Sequence, residues 1–151
     1  MASSNHIETI AIIGAGGQVG GVIAKALITQ GKHKLTAITR PDSSSRMPEG
    51  LHEVRKADYS DHAALVQALK GQQVLIITMA ATVPKETQMK LIDAAKEAGV
   101  TYIMPNEYGV AIDNEQFAKD IMIGAGSLAV RRHIEKIGLK WIGLSCGFWC
   151  V

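Results

Sequence analysis

Short apolar runs of strand length alternate with segments of helical period along the whole chain, and no other feature restricts its fold as strongly. Residues 7–13 form the first run. Gln18–Gln30 follows with Val19, Val22, Ile23, Ala26 and Leu27 at helical spacing, and Gly31 supplies the stop that a left-handed C-cap needs. Residues 35–39 predict a second strand, 52–57 a third, 74–78 a fourth, 100–104 a fifth and 140–144 a sixth. One intervening helix is capped at Ser60, with Asp61 behind it, runs to Leu69 and closes at Gly71. Another opens at Pro84, keeps Met89, Leu91, Ile92 and Ala95 inside, and has Gly99 beyond its end. A longer helical region over 115–137 is weakened near Gly124 and Gly126. The turn-rich stretch from Arg40 to Gly50 is the expected mobile loop. Alternation of this kind specifies a parallel α/β sheet.

The 151 residues make one domain, 1–151. With 47% hydrophobic and 20% charged residues the composition excludes disorder, and a chain this long buries about two-thirds of the surface it exposes when unfolded. A net charge of +2, scattered along the chain, argues against a nucleic-acid or membrane surface. The N-terminus lacks a basic start and an apolar core, and no apolar run approaches the roughly 20 residues of a membrane span, so a soluble cytoplasmic protein is expected. Cys146 and Cys150 form neither a disulfide framework nor a trusted zinc spacing and are expected to be buried thiols. The histidines at 6, 33, 52, 62 and 133 show no i,i+4 pairing, so no metal site is expected.

Chemistry enters with Gly14-Ala-Gly16-Gly17-Gln18-Val19-Gly20, which lies between the first strand and the first helix. A turn without β-carbons lets backbone N–H groups and the positive end of a helix approach a pyrophosphate, while the last glycine lets helix pack on strand. Val19 occupies the sixth position of a strict G-x-G-x-x-G string, so the pattern is the G-x-x-G-x-x-G variant carried by Gly14, Gly17 and Gly20. In this context it predicts dinucleotide binding on a Rossmann-type, doubly wound parallel sheet of about six strands with helices on both faces. The alternative is a tight strand-to-helix turn and nothing more.

The end of the second strand offers Arg40 where an NAD-binding chain offers an acid to the adenosine ribose, with Arg46 nearby and no acid before Asp42. NADP(H) is therefore expected in preference to NAD(H), against the alternative that Arg40 is a solvated loop residue. Asp58 and Tyr59 follow the third strand and are placed to meet the adenine edge, or Asp58 to cap. Thr78, Met79, Ala80 and Ala81 leave the fourth strand, where small side chains suit a close approach to the nicotinamide ribose.

Absences narrow the chemistry. None of Tyr59, Tyr102 and Tyr108 has a lysine four residues on, the arrangement that marks the usual short-chain dehydrogenase acid. Gly143-Leu-Ser145-Cys-Gly147 spells a nucleophile elbow, but the helix, acid and histidine that must follow Ser145 have no room before Val151.

The chain resembles the NmrA-like and isoflavone-reductase-like branch of atypical short-chain dehydrogenases, above all its fungal members. The resemblance rests on residues 14–20, on Pro105-Asn-Glu-Tyr-Gly109, and on Gly138-Leu-Lys-Trp-Ile-Gly-Leu-Ser-Cys-Gly-Phe-Trp149. It implies an active site lined by Asn106, Glu107, Tyr108 and Gly109, with 147–149 opening toward a substrate pocket. It also implies NADPH-dependent reduction of a small aromatic or isoprenoid-derived molecule, or dinucleotide binding without turnover in regulatory members; a third reading is an isomerase or cyclase that kept the fold. On this reading Tyr108 could donate a proton or hydrogen bond to the substrate. Family reductases carry a proton-transfer lysine shortly before a Val/Ile-Arg-Arg-x-Ile-Glu stretch, and here that place falls on Ser127, with Lys119 two turns earlier. Family members also continue beyond the sixth strand, so the C-terminal substrate portion is expected to be absent. Phe148 and Trp149 are then expected to bind a second copy or a protein partner.

Overall fold

The structure is a computed structural model that describes residues 6–109, 113–121 and 124–147. Six parallel strands lie in the order β3-β2-β1-β4-β5-β6. They are β1 (Thr9–Ile13), β2 (Lys34–Thr39), β3 (Glu53–Lys56), β4 (Val74–Ile77), β5 (Tyr102–Met104) and β6 (Lys140–Trp141). The helices are α1 (Gln18–Gln30), α2 (His62–Leu69), α3 (Lys85–Glu97), α4 (Glu115–Asp120) and α5 (Gly124–Lys136). This is the doubly wound Rossmann-type architecture read from the alternation of runs.

The layers follow from the strand pleat. Ile10 and Ile12 of β1 pack with Ala24 of α1, whereas Ala11 and Ile13 face the opposite core with Leu65, Leu91, Ile92 and Ile134 of α2, α3 and α5. The central strands are buried on both sides, β4 over its full length, which is why Val74–Ile77 contains nothing polar. Fully burying each such aliphatic side chain contributes about 1.5–3 kcal/mol.

Four local expectations need correction. The region 115–137 is two helices, α4 ending at Asp120 and α5 beginning at Gly124, so the glycines expected to weaken one helix lie at the start of a second. The cap of α2 is Asp61, whose carboxylate accepts the Ala64 N–H at 3.0 Å, and not Ser60. Ser60 instead donates both its N–H and its hydroxyl to Asp58. The sixth strand is the two-residue Lys140–Trp141; Ile142 still donates its N–H to the Ile103 carbonyl at 2.8 Å, and the chain from there to Leu144 is exposed. Cys146 is exposed, against the expectation of a buried thiol, its N–H donating to the Gly109 carbonyl. Phe148, Trp149 and Cys150, and with them the expected apolar contact, lie outside the described residues.

No helix is inserted between β2 and β3. The stretch from Arg40 to Gly50 crosses instead as a loop whose Met47, together with Leu51 beyond it, packs on the α1 side of the sheet. It comes close to the glycine turn: a β-carbon on Gly16 would lie 2.9 Å from the Arg46 carbonyl oxygen.

Candidate functional site

In a parallel sheet the carboxyl ends of all strands emerge on one side, and the crevice forms where the strand order reverses, here between β1 and β4. Gly14 leaves β1 at φ 86°, and its carbonyl accepts the Gly17 N–H at 2.9 Å to close the turn. A β-carbon on Gly14 would stand 1.8 Å from the Thr78 carbonyl oxygen; one on Gly20 would stand 2.1 Å from the Gly14 oxygen and 2.4 Å from Thr78 Oγ1. These two glycines therefore seat α1 against the end of β4. Thr78 is the third body of that joint, donating its N–H at 2.9 Å and its hydroxyl at 2.7 Å to the Ile13 carbonyl. Gly17, the N-cap of α1, has far more room, with only the Gly14 oxygen at 3.2 Å. The N–H groups of Gln18, Val19 and Gly20 open α1 and, as in any first helical turn, lack acceptors within the helix.

Two clefts meet over this turn. One, of about 580 Å³, is lined by Gly14, Gly16, Arg40, Ser43, Ser45, Met47 and Tyr59. The other, of about 720 Å³, is lined by Gln18, Val19, Gly20, Lys85, Gln88, Asn106, Glu107, Tyr108, Ser127 and Val130. They share Gly17, Thr78, Met79, Ala80 and Val83, which form the ridge between them. The arrangement thus brings together the glycine turn, Arg40 and the segment after β4, and on the far side of the ridge the segment after β5.

Arg40 is exposed, its Nε 3.8 Å from Asp42, too long and too wet to hold it. Tyr59 is half-buried and donates to the Ile38 carbonyl at 3.3 Å, and burial pushes its phenol up to about 12. Asp58 lines neither cleft. Its carboxylate is spent on the Ser60 N–H, which, with the Ser60 hydroxyl, holds it below the usual carboxylate range.

Asn106, Glu107 and Tyr108 hold the cleft in shape. Asn106 Oδ1 accepts the Met79 N–H and Nδ2 donates to the Met79 carbonyl, each at 3.0 Å. The Asn106 N–H in turn donates to Gln88 Oε1 at 2.7 Å. The Tyr108 hydroxyl donates to the Ile77 carbonyl at 2.8 Å, and burial, reinforced by Glu107, raises its pKa so that it stays protonated. A phenol so committed is poorly placed to give up a proton. Ser127 lines the larger cleft from α5, half-buried, whereas Lys119 is exposed on α4 and lines neither.

Glu107 leads to residues that sequence reasoning passed over. Both its carboxylate oxygens accept from Arg131 Nε at 3.0 Å, and both side chains are nearly buried. Arg131 Nη1 donates to Asp113 at 2.9 Å, and its guanidinium lies 4.2 Å from the centroid of a Trp141 ring. Burial raises the Glu107 pKa, with Arg131 opposing. A signal was available: Arg131 sits beside Val130 and three residues before Ile134, both fully buried, so its helical phase already placed a charge inside.

The pattern of the NmrA-like family matches residues 6–150. The chain belongs to the NmrA-like family. Within it, the chain is 37% identical over 100 residues to an oxidoreductase, aprR, of Aspergillus flavus, covering 66% of this chain and 33% of that protein. It is 28% identical over 142 residues to the isoflavone reductase of Medicago sativa, covering 90% and 44%. It is also similar to a phenylcoumaran benzylic ether reductase of Nicotiana tabacum, at 30% identity over 148 residues, covering 91% and 47%. The chain therefore spans between a third and a half of the length of these NmrA-like relatives. Among solved structures, an isoflavone reductase superimposes with a TM-score of 0.78 at 28% identity over 95% of this chain and 50% of that one. The NADPH-dependent quinone oxidoreductase of Escherichia coli complexed with NADPH does so with 0.74 at 27% identity, over 93% and 49%. No helix among the described residues is long and apolar enough to cross a membrane.

Proposed function

We propose that the chain is the dinucleotide-binding part of an NADPH-dependent reductase acting on a small aromatic or isoprenoid-derived molecule. The observation that carries this is the joined pair of clefts: a glycine turn with Arg40 on one side of the Gly17–Thr78 ridge, and a largely apolar recess on the other. The residues fit such a cofactor, because Gly17 keeps the approach to the α1 N-terminus clear of side chain and the first-turn N–H groups have no acceptor within the helix there. The N–H groups of Gln18, Val19 and Gly20 hold the pyrophosphate, and Arg40 with Ser43 holds the 2′-phosphate. Tyr59 lines the adenosine side, and Met79 and Ala80 pass beneath the nicotinamide end. Bound NADPH supplies the hydride, as its relatives named for reduction and for NADPH suggest. Asn106 fixes the Met79 peptide under that end, and Tyr108 fixes the end of β4, so both act by position.

A second reading is a redox-sensing regulator that binds the dinucleotide without turnover. The commitment of the Tyr108 hydroxyl to Ile77, with Ser127 where the resemblance implies a lysine, favours it. The test is NADPH oxidation, followed at the nicotinamide absorbance, with a panel of quinones, aromatic enones and isoprenoid aldehydes, beside equilibrium titration with NADPH and NADH. Turnover of any member supports the reductase. Tight NADPH binding with no turnover across the panel selects the regulator, and binding of neither dinucleotide overturns both.

A further inference from the structure

Charge in the larger cleft is distributed unevenly. Two of its lining residues are of acidic or basic type, Glu107 and Lys85. Glu107 is 7% exposed and pairs at 3.0 Å with Arg131, which also holds Asp113 at 2.9 Å. Lys85 is exposed at the first position of α3 and has no acidic partner among the described residues. Lys85 is thus the one cationic side chain among the described residues that line this recess.

A second donor stands beside it. Gln88 lies three residues on, on the same face of α3 and in the same cleft. Its Oε1 accepts the Asn106 N–H at 2.7 Å, which fixes which end of the amide is which and leaves the Nε2 hydrogens as donors. Lys85 and Gln88 therefore offer one charged and one neutral donor group a single helical turn apart, at the positive end of a helix whose N-cap, Pro84, makes no side-chain bond. Val83, Val130, Met79, Ala80 and Ala81 give the recess its apolar lining.

From this we infer that the larger cleft takes a substrate bearing a carboxylate, held by Lys85 Nζ and Gln88 Nε2, with its apolar body against Val83 and Val130. The inference deepens the reductase reading and depends on it only for naming the ligand a substrate.

The probes are trans-cinnamate and its neutral isostere trans-cinnamamide, titrated calorimetrically into the full chain with NADP+ present and with it omitted. Cinnamate binds the wild type about three- to five-fold more tightly, as a partly exposed charged contact allows. Lys85→Gln abolishes that preference, Lys85→Arg keeps it, and Gln88→Leu reduces it. Arg40→Ala leaves it intact, which separates this site from the phosphate cradle. Equal or undetectable binding of the two probes to the wild type, survival of the preference in Lys85→Gln, or its loss in Arg40→Ala overturns the inference. Failure of NADP+ to bind overturns the reductase reading alone, because the carboxylate preference is measured without it as well.

Discussion

The Asn106 side chain grips the Met79 peptide from both sides, accepting its N–H and donating to its carbonyl at 3.0 Å each. Because β4 and β5 are neighbours that end together, this one amide replaces the strand pairing just where the backbone must open to form the cleft. Both bonds need the carboxamide, with one donor and one acceptor. Asn106→Asp removes the donor and sets a carboxylate against the Met79 carbonyl, with an expected cost of about 2 kcal/mol. The loss is measurable as a lower urea midpoint at neutral pH, and it shrinks in acid as the introduced carboxyl takes a proton. Equal midpoints would show that the clamp carries no load.

Arg40 decides cofactor choice if its guanidinium meets the 2′-phosphate. Arg40→Ala is expected to weaken NADPH binding about ten-fold, the scale of one charge-assisted contact, and to leave NADH binding within about two-fold. Titrations at two salt concentrations check this, since the NADPH advantage of the wild type falls with ionic strength. A parallel loss for both dinucleotides would place Arg40 outside the phosphate site.

The four glycines of the turn are not equivalent. Gly20→Ala drives a β-carbon into the Gly14 carbonyl and Thr78, and is expected to cost about 3 kcal/mol of stability. Gly17→Ala meets only an oxygen at 3.2 Å at an ordinary φ of −84° and leaves the fold nearly unchanged. It narrows the approach to the α1 N-terminus, so dinucleotide affinity falls while the urea midpoint holds. Denaturation and binding run on the two variants give opposite rankings.

Burial raises the Glu107 carboxyl above its ordinary value, and Arg131 opposes the rise without cancelling it. The folded state therefore keeps this proton to higher pH than the unfolded chain does. The resulting stability is fully present below the unfolded pKa, near 4.5, and is lost as pH rises through the folded pKa. Removing the cation accentuates the effect: Arg131→Met leaves a nearly buried carboxylate unpaired and is expected to cost about 3 kcal/mol at neutral pH. Lowering the pH protonates Glu107 and shrinks that deficit. Glu107→Gln, which needs no proton, costs less at neutral pH. Urea midpoints of both variants between pH 4 and 8 test the sign; a deficit in Arg131→Met that grows in acid would reverse it.

The succession of strands and helices and the glycine turn were legible in the sequence because both rest on local constraints: a period of apolar residues, and positions where a β-carbon has no room. What Asn106, Tyr108 and Glu107 do was not. The reading put them at an active site and they line the larger cleft, but their partners Met79, Ile77 and Arg131 lie 24 to 31 residues away. Nothing local distinguishes an asparagine that touches a substrate from one that holds a backbone. The break between α4 and α5 was half-visible at Gly124 and Gly126, whereas the choice of Asp61 over Ser60 as a cap depends on how the chain enters α2.

The ridge of Gly17, Thr78, Met79, Ala80 and Val83 belongs to both clefts at once, which limits how such a scaffold can diversify. A substitution there alters both compartments together, so drift toward a new ligand is penalised by loss of the old partner. Ser127, Val130, Lys85 and Gln88 border one compartment only, so a change there leaves the lining of the other untouched. Divergence among descendants of such a chain should therefore concentrate on the cleft-lining positions of α3 and α5, while the ridge changes little.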